Sequence, residues 1–217
     1  MGFRLPNGAT LEIAAAYGVA IKVTALSNAA PAVATASAHG LADGDIIAVA
    51  SGWTRLNDRA VRVADIQSGT FALENINTTN VQPYPAGSGV GSVREVTAFQ
   101  EISQITDLAS SGGDQQFFSF GFLAEDDDRQ IPTTKNPVTL AITVADDPDQ
   151  AYVPIVEAAD EDREVRVLRL NLPNGDIILY NGYVSITSTP ALGRNNLMTR
   201  VISVALSGRP TRYKKAP

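Results

Sequence analysis

The stretch from Pro137 to Thr187 constrains the fold of this chain more than any other part. Apolar residues alternate with threonine and alanine from Val138 to Ala145, and this period of two predicts a strand with one buried face. A polar break follows, then one short apolar helical patch and two more strands joined by a Pro-Asn-Gly turn. The stretch contains no residue set suited to catalysis, so it indicates a protein with a structural role.

A single helix is expected after the polar break. Asp147 or Asp149 would be a suitable N-cap, but either cap would leave Pro154 inside the helix, where it removes a hydrogen bond and clashes with the preceding turn. The helix is therefore predicted to begin near Tyr152, with Pro154 in its first turn, and to run to about Asp160.

Composition divides the chain into a main body and an insert. Residues 22–96 are rich in alanine, valine, glycine, asparagine and threonine, with short apolar runs cut by tight turns, and they end in a Pro/Gly-rich exit. Such a segment is typical of a small all-β unit. We predict an inserted small β domain at 22–96. Residues 1–21 and 97–217 are predicted to form a mainly β domain, a sandwich or barrel with one short flanking helix.

Two runs are expected to supply the core of the main domain. Phe118, Phe120 and Phe122 share one face of a predicted strand. Because each ring buries a large area, three aromatic residues on one face are more often core than a stacking platform. The last strand is expected to carry Met198, Ile202, Val204 and Leu206 on its apolar face.

The residues available for chemistry are few. The chain has no cysteine and one histidine, His39, which excludes disulfides, thiolate metal sites and any mechanism that needs two imidazoles. His39 is interpreted as a hydrogen-bonding turn residue. The acidic run from Glu125 to Asp128 is interpreted as a solvated turn, because it lacks the ligand spacing and the glycine of a calcium loop. No catalytic, cofactor-binding or metal-ligating residue is predicted, and a glycan hydrolase built on paired carboxylates is the weakest alternative.

The charge balance bears on partners. The net charge is −6, which argues against groove binding to nucleic acid, because phosphate neutralisation supplies much of that affinity. Basic residues cluster only near the C-terminus, where a frayed, solvated tail is expected. The sequence has no apolar run of transmembrane length and no signal-peptide pattern at its start, so synthesis in the cytoplasm and no membrane insertion are expected.

Several segments of the main domain occur in an informative order. They are Val-Thr-Ala-Phe-Gln-Glu-Ile from Val96, Ser-Gly-Gly-Asp-Gln-Gln-Phe from Ser111, Arg-Gln-Ile-Pro-Thr from Arg129, Ile-Thr-Val-Ala-Asp-Asp from Ile142, Leu-Pro-Asn-Gly from Leu172 and Tyr-Asn-Gly-Tyr-Val-Ser from Tyr180. With Arg4-Leu5-Pro6-Asn7-Gly8-Ala9 near the N-terminus, this order resembles the tail tube proteins of long-tailed bacteriophages. The insert, with His39-Gly40-Leu41, Gly44-Asp45 and Phe71-Ala72-Leu73, resembles a small β module found in many phage tail proteins.

The resemblance implies a function. Six copies of a β-sandwich with one flanking helix would form a ring, and the rings would stack into a tube in the virion tail. The lumen would pass DNA during ejection, and the tube would surround the tape measure protein and meet terminator and distal tail proteins at its ends. Assembly would take place in the host cytoplasm, without a cofactor. The insert is expected on the tube exterior, because a domain of that size does not fit a lumen.

Candidate contact residues follow from this interpretation. The loop formed by Ser110, Ser111, Gly112, Gly113 and Asp114 and the tail residues Arg209, Arg212 and Tyr213 are the candidate inter-subunit and ring-stacking residues. The N-terminal arm, this loop and the tail are expected to become ordered on assembly. The main alternative is a decoration or adhesin protein that contacts the host surface through the insert. Trp53 and Tyr84 are its candidate outer-surface contacts, although Trp53 is equally suited to anchor the core of the insert.

Overall fold

A computed structural model describes residues 7–215 of the chain, so the predicted N-terminal arm, residues 1–6, lies outside the described residues. The part described has sixteen strands and one helix, which confirms the mainly β prediction. The strands of the first half are β1 (Thr10–Tyr17), β2 (Ile21–Val23), β3 (Ala25–Leu26), β4 (Ala32–Thr35), β5 (Ile46–Ser51), β6 (Arg59–Gln67), β7 (Thr70–Leu73) and β8 (Gly91–Ile102). The elements of the second half are β9 (Ile105–Ser111), β10 (Gln115–Phe120), β11 (Arg129–Lys135), β12 (Thr139–Ala145), α1 (Val153–Asp162), β13 (Val165–Asn171), β14 (Ile177–Ile186), β15 (Thr199–Leu206) and β16 (Thr211–Tyr213).

Fourteen of these strands join in one antiparallel sheet. Twelve follow the order β3-β4-β7-β6-β5-β8-β1-β13-β14-β15-β12-β9, while β2 pairs with β8 and β16 pairs with β14. The long strand β8 links the two halves of this sheet, because its residues 91–95 pair with β5 and its residues 96–102 pair with β1. The remaining two strands, β10 and β11, form a separate two-stranded sheet.

Three hydrophobic clusters organise the interior. The first lies within residues 23–93 and includes Trp53 and Phe71. The second, the main core, is formed by β1, β12–β15, α1 and the end of β8. The third joins these two parts of the chain, and we call it the junction cluster; its buried members are Ala14, Ile46, Ala60, Val96, Val167, Leu179 and Tyr213. The division into an insert at 22–96 and a main domain stays a prediction, but the segment packs directly on the main body.

The helix begins where the sequence predicts. Tyr152 is its N-cap residue and Pro154 falls in its first turn, where a missing backbone N–H costs nothing. Val153, Val156 and Ala159 are buried against the main core. The helix ends just before Arg163, two residues beyond the predicted end.

One prediction about the last strand is wrong. Met198 precedes β15 and is exposed, whereas Ile202 and Val204 are buried in the main core. The strand begins only at Thr199, so the apolar alternation of Ile202 and Val204 does not extend back to Met198. Among the described residues, α1 is the sole helix, and it is too short and too polar to cross a membrane.

Candidate functional site

The hairpin of β10 and β11, residues 115–135, is the most exposed element of the chain, and we call it the arm. Its register places Phe118 opposite Ile131 and Phe120 opposite Arg129. Because directly opposite residues of an antiparallel pair share one face, Phe118, Phe120 and Ile131 lie on the same side of the arm. The Phe118 and Phe120 rings are stacked with their centroids 6.3 Å apart, and Phe122 meets Phe120 edge-on at 5.6 Å.

This aromatic row is open to solvent. Phe118 is 61% exposed, Phe122 is 55% exposed and Ile131 is 51% exposed, and Leu123 at the tip is fully exposed. The prediction that these phenylalanines form core is therefore wrong. The alternation in the sequence identifies the shared face correctly, but nothing in the described chain covers that face. Contiguous exposed apolar surface of this kind marks a site of protein association.

The arm is also separate from the large sheet in the described part of the chain. Neither β10 nor β11 pairs with the fourteen-stranded sheet within residues 7–215. A lone two-stranded hairpin is marginally stable in water, and it gains stability when further strands or another surface cover its apolar face. The geometry therefore suits an element that is completed by a partner.

The predicted contact loop forms the base of the arm. Ser110 and Ser111 are the end of β9, paired with Leu140 and Thr139 of β12, so they are strand and not loop as expected. Gly112 and Gly113 then turn the chain with φ angles of 85° and 82°. A Cβ atom at Gly112 would lie 2.0 Å from the carbonyl oxygen of Pro137, so only glycine fits there.

The arm closes where it meets the sheet and carries its charge at the far end. At its base, the carbonyl of Asp114 accepts a hydrogen bond of 2.9 Å from the backbone N–H of Asn136. At its tip, residues 125–128 are exposed, as predicted for a solvated turn. Arg129 forms an ion pair of 2.5 Å with Glu125, and no group of acidic or histidine side chains within residues 7–215 is arranged to hold a metal ion.

The described part of the C-terminal tail contains a strand, in contrast to the prediction of a frayed end. Thr211, Arg212 and Tyr213 form β16, which pairs with β14. Arg212 forms an ion pair of 2.7 Å with Asp176, and this hydrogen-bonded guanidinium lowers the pKa of the Asp176 carboxyl. Arg209 is exposed.

Tyr213 cannot serve as the inter-subunit contact that the sequence suggested. Its side chain is fully buried in the junction cluster. Burial raises the pKa of the Tyr213 hydroxyl to about 12. The alternation of Thr211, Arg212 and Tyr213 places Tyr213 on the inner face of β16, and the sequence does not reveal that residues of the insert lie beneath it.

Trp53 and Tyr84 are also buried, so the expectation that they are outer-surface contacts is wrong. Trp53 is 1% exposed and Tyr84 is 9% exposed. Their rings meet edge-on at 5.2 Å, and the Trp53 indole N–H donates a hydrogen bond of 2.8 Å to the carbonyl of Pro85. Both rings are large and apolar and find cover in the core of a small domain. Trp53 is thus the core anchor that the sequence allowed as the other interpretation.

His39 behaves as predicted for a turn residue. Its Nε2 atom lies 2.9 Å from the carbonyl oxygen of Gln67, and its Nδ1 atom accepts a hydrogen bond from the backbone N–H of Leu41. Both ring nitrogens are therefore occupied by the backbone of its own chain.

A second surface feature is the outward face of β14, β15, β12 and β9. Alternate residues of these strands pack into the main core, and the residues between them point away from it. We call this the small-residue face. It consists of Tyr183 and Ser185, of Thr199, Val201, Ser203 and Ala205, of Thr139, Ala141, Thr143 and Ala145, and of Asp107, Ala109 and Ser111. Lysine and arginine are absent from these thirteen positions.

The fold and these surfaces define a class: a mainly β protein with a solvent-exposed aromatic hairpin that is separate from its large sheet. Residues 51–215 match the family of phage tail tube proteins. Because this match covers more than half of the chain, the protein belongs to that family, and it is a structural protein of the virion tail that assembles into a tube. Among curated proteins, no sequence matches the chain significantly.

Sequence reasoning missed the arm as the principal surface. Two signals for it are present in the sequence: the Gly112-Gly113 pair before the aromatic run and the acidic turn that separates its two strands. Glycine and aspartate are turn formers, and a polar turn between two runs of strand-forming residues indicates a hairpin.

Proposed function

We propose that this chain is the repeating subunit of a tail tube in which six copies form a ring, the rings stack, and DNA passes transiently through the lumen during ejection. Family membership supports a structural tail role and self-assembly. The proposal assigns the protein no catalytic activity and no cofactor. It includes the tape measure protein inside the tube, terminator and distal tail proteins at its ends, and assembly in the host cytoplasm.

The observation that carries the proposal is the arm. It presents an aromatic row with no cover among residues 7–215, and the three exposed phenylalanines of the described chain, Phe117, Phe118 and Phe122, all lie in it. A projection that binds a different patch on the next copy is a heterologous contact. Contacts of this type generate closed rings or open helical filaments, whereas self-complementary contacts generate dimers.

The small-residue face is the part of the subunit that we assign to the lumen. Apart from Tyr183 its residues are short, seven of the thirteen carry a hydroxyl, and Asp107 is its one charged member. A wall without cations lacks the ion pairs that supply most of the affinity for phosphate, so a polyanion such as DNA binds it only weakly and can slide past. The same reasoning favours a smooth passage for the tape measure protein.

The insert is assigned to the tube exterior by its position on the fold. Residues of β9, β1 and β13 line one apolar groove, although β9 is at the end of the strand order and β1 and β13 are in its middle. The sheet of the main body therefore curls around the main core. The junction cluster lies on the outer side of β1, β13 and β14, whereas β12 and β9 are at the far end of the strand order. The insert and the β12–β9 end of the small-residue face therefore lie at opposite ends of the strand order, whereas Tyr183 at the other end of that face borders the insert.

The alternative functions have less support. An adhesin or decoration protein would contact the host surface through Trp53 and Tyr84, but both residues are buried in the insert. A carboxylate-based glycan hydrolase has no supporting feature among the described residues.

Light scattering after size-exclusion chromatography, followed by negative-stain electron microscopy, tests the proposal. The wild-type protein should form rings or tubes at high concentration. Replacing Phe118 and Phe122 with serine should leave a folded monomer, because the row that the neighbour covers is removed. Leu192→Ser is the matched control, since Leu192 is 74% exposed and lies outside the arm. A wild-type protein that stays monomeric when concentrated and seeded, or an arm variant that assembles normally, would contradict the proposal.

A further inference from the structure

A charged groove lies where the C-terminal strand meets the insert. It has a volume of about 810 Å³, and we call it the junction groove. It shares Ala64, Glu74 and Asn75 with a neighbouring hollow that is also lined by Ala30, Pro31, Asp65, Ile76 and Asn77. The groove therefore has a cationic end on the C-terminal strand and a smaller end on the insert, the apolar end, where Ala30 and Pro31 are exposed beside the single carboxylate of Asp65. Its lining residues are Arg62, Ala64, Glu74, Asn75, Asp176, Arg212, Lys214 and Lys215.

The cationic end of the groove carries an excess of positive charge. Arg62 pairs with Glu74 and Arg212 pairs with Asp176. Lys214 and Lys215 are exposed, and within residues 7–215 they form no ion pair closer than 4.0 Å. Their two charges are therefore available to a bound partner.

The tip of the arm has the complementary two-part pattern. Phe122 and Leu123 are its exposed apolar end. The acidic run follows directly, and Arg129 pairs with only one of the four carboxylates, that of Glu125. The three aspartates from Asp126 to Asp128 are exposed and form no ion pair within the described part of the chain.

We propose that the tip of the arm of one copy docks in the junction groove of a second copy. The three aspartates face Lys214 and Lys215, and Leu123 enters the apolar end beside Pro31. Complementary potentials of this kind fix the register of an interface and suppress wrong partners. The contact is heterologous, so each copy offers one tip and one groove, and assembly propagates from copy to copy. This inference rests on the proposed self-assembly and names the surface that receives the arm.

Charge reversal with mixing tests this contact. Asp127→Lys spoils the tip but leaves the groove intact, and Lys214→Glu does the reverse. Each variant alone should need a concentration about tenfold or more above that of the wild type to assemble, because like charges then face each other across the contact. An equimolar mixture should assemble like the wild type, since every lysine tip then finds a glutamate groove and every aspartate tip finds a lysine groove. Glu161→Lys, an exposed helix position without an ion pair in the described chain, is the matched control and should assemble normally.

The outcomes separate this inference from the proposed function. Single variants that assemble like the wild type, or a mixture that assembles no better than its components, overturn the docking of the tip in the groove. Rings or tubes formed by the wild type in the same experiment would leave the tube function standing. A wild type that never assembles overturns both. Circular dichroism of each variant confirms that an assembly defect does not come from unfolding.

Discussion

The hydroxyl of Tyr213 lies 3.0 Å from the backbone nitrogen of Arg62, which donates a hydrogen bond to it, although the two residues are 151 positions apart. The same hydroxyl donates to the carbonyl of Glu74, and the Arg62 guanidinium lies 4.7 Å from the centre of the Tyr213 ring. Strand β6 and the turn that follows β7 are thereby fastened to the last strand of the main body. The Tyr213 side chain therefore holds the insert in a fixed position on the main body.

Replacing Tyr213 should destabilise the whole chain. Tyr213→Phe leaves the buried N–H of Arg62 without its acceptor, which costs about 1–3 kcal/mol, and Tyr213→Ala removes the ring as well and costs about 3–5 kcal/mol. Urea denaturation followed by fluorescence measures both free energies of unfolding. Tyr183→Phe is the control, because Tyr183 is half exposed and should change stability by less than about 0.5 kcal/mol. If Tyr213→Ala unfolds like the wild type, the C-terminal strand does not anchor the insert.

The raised pKa of Tyr213 predicts a loss of stability in alkali. Its folded pKa of about 12 lies above the ordinary value of 10.0, so the folded state holds the proton more tightly. The stabilisation is complete below pH 10 and is lost as the pH rises from 10 to 12. A shift of this size corresponds to on the order of 2–3 kcal/mol.

Comparison with Tyr213→Phe isolates this contribution from that of the other tyrosines. The difference in unfolding free energy between the wild type and Tyr213→Phe should be constant below pH 10 and should shrink between pH 10 and pH 12. A difference that stays constant across that window would mean that Tyr213 is not buried in solution.

The contrast between β12 and β10 explains how far the sequence could predict this fold. Both strands show alternating apolar residues, and both exist. The apolar side of β12 is buried because neighbouring elements cover it, but the apolar side of β10 has no cover among residues 7–215. Alternation reports which residues share a face. What covers that face depends on pairing between distant segments or on another copy, and neither is encoded in a local pattern.

The C-terminal tail also shows that a local sequence pattern does not reveal contacts with distant residues. Arg212, Lys214 and Lys215 have the composition of a solvated terminus, yet Thr211–Tyr213 is a strand because Tyr213 finds partners near positions 62 and 74. Helix α1 was predictable because its start is set by Pro154, a purely local constraint. For Trp53 the sequence shows a large ring in a small domain, which allows a role in the core. It does not show whether the ring points inward or outward.

The burial of Trp53 predicts an effect on folding and not on host contact. Trp53→Ala should lower the stability of the protein by about 3–5 kcal/mol through loss of core packing. Trp53→Phe should cost less, about 1–3 kcal/mol, since it mainly removes the donor to the Pro85 carbonyl. Val81→Ala is the control in the same segment, because Val81 is 59% exposed. An unchanged midpoint of thermal unfolding for Trp53→Ala would restore the surface role that the adhesin alternative requires.

The base of the arm predicts a position where one methyl group disturbs both stability and assembly. Gly112→Ala places a Cβ atom against the Pro137 carbonyl at a φ that alanine disfavours, so the unfolding free energy should fall by more than about 1 kcal/mol. The arm should also leave its orientation relative to β9, and ring formation should weaken in light scattering. Gly69→Ala is the matched control, because open space surrounds that position, and it should change stability by less than about 0.5 kcal/mol. If Gly112→Ala melts and assembles like Gly69→Ala, the two glycines do not set the direction of the arm, and the aromatic row reaches its partner by another route.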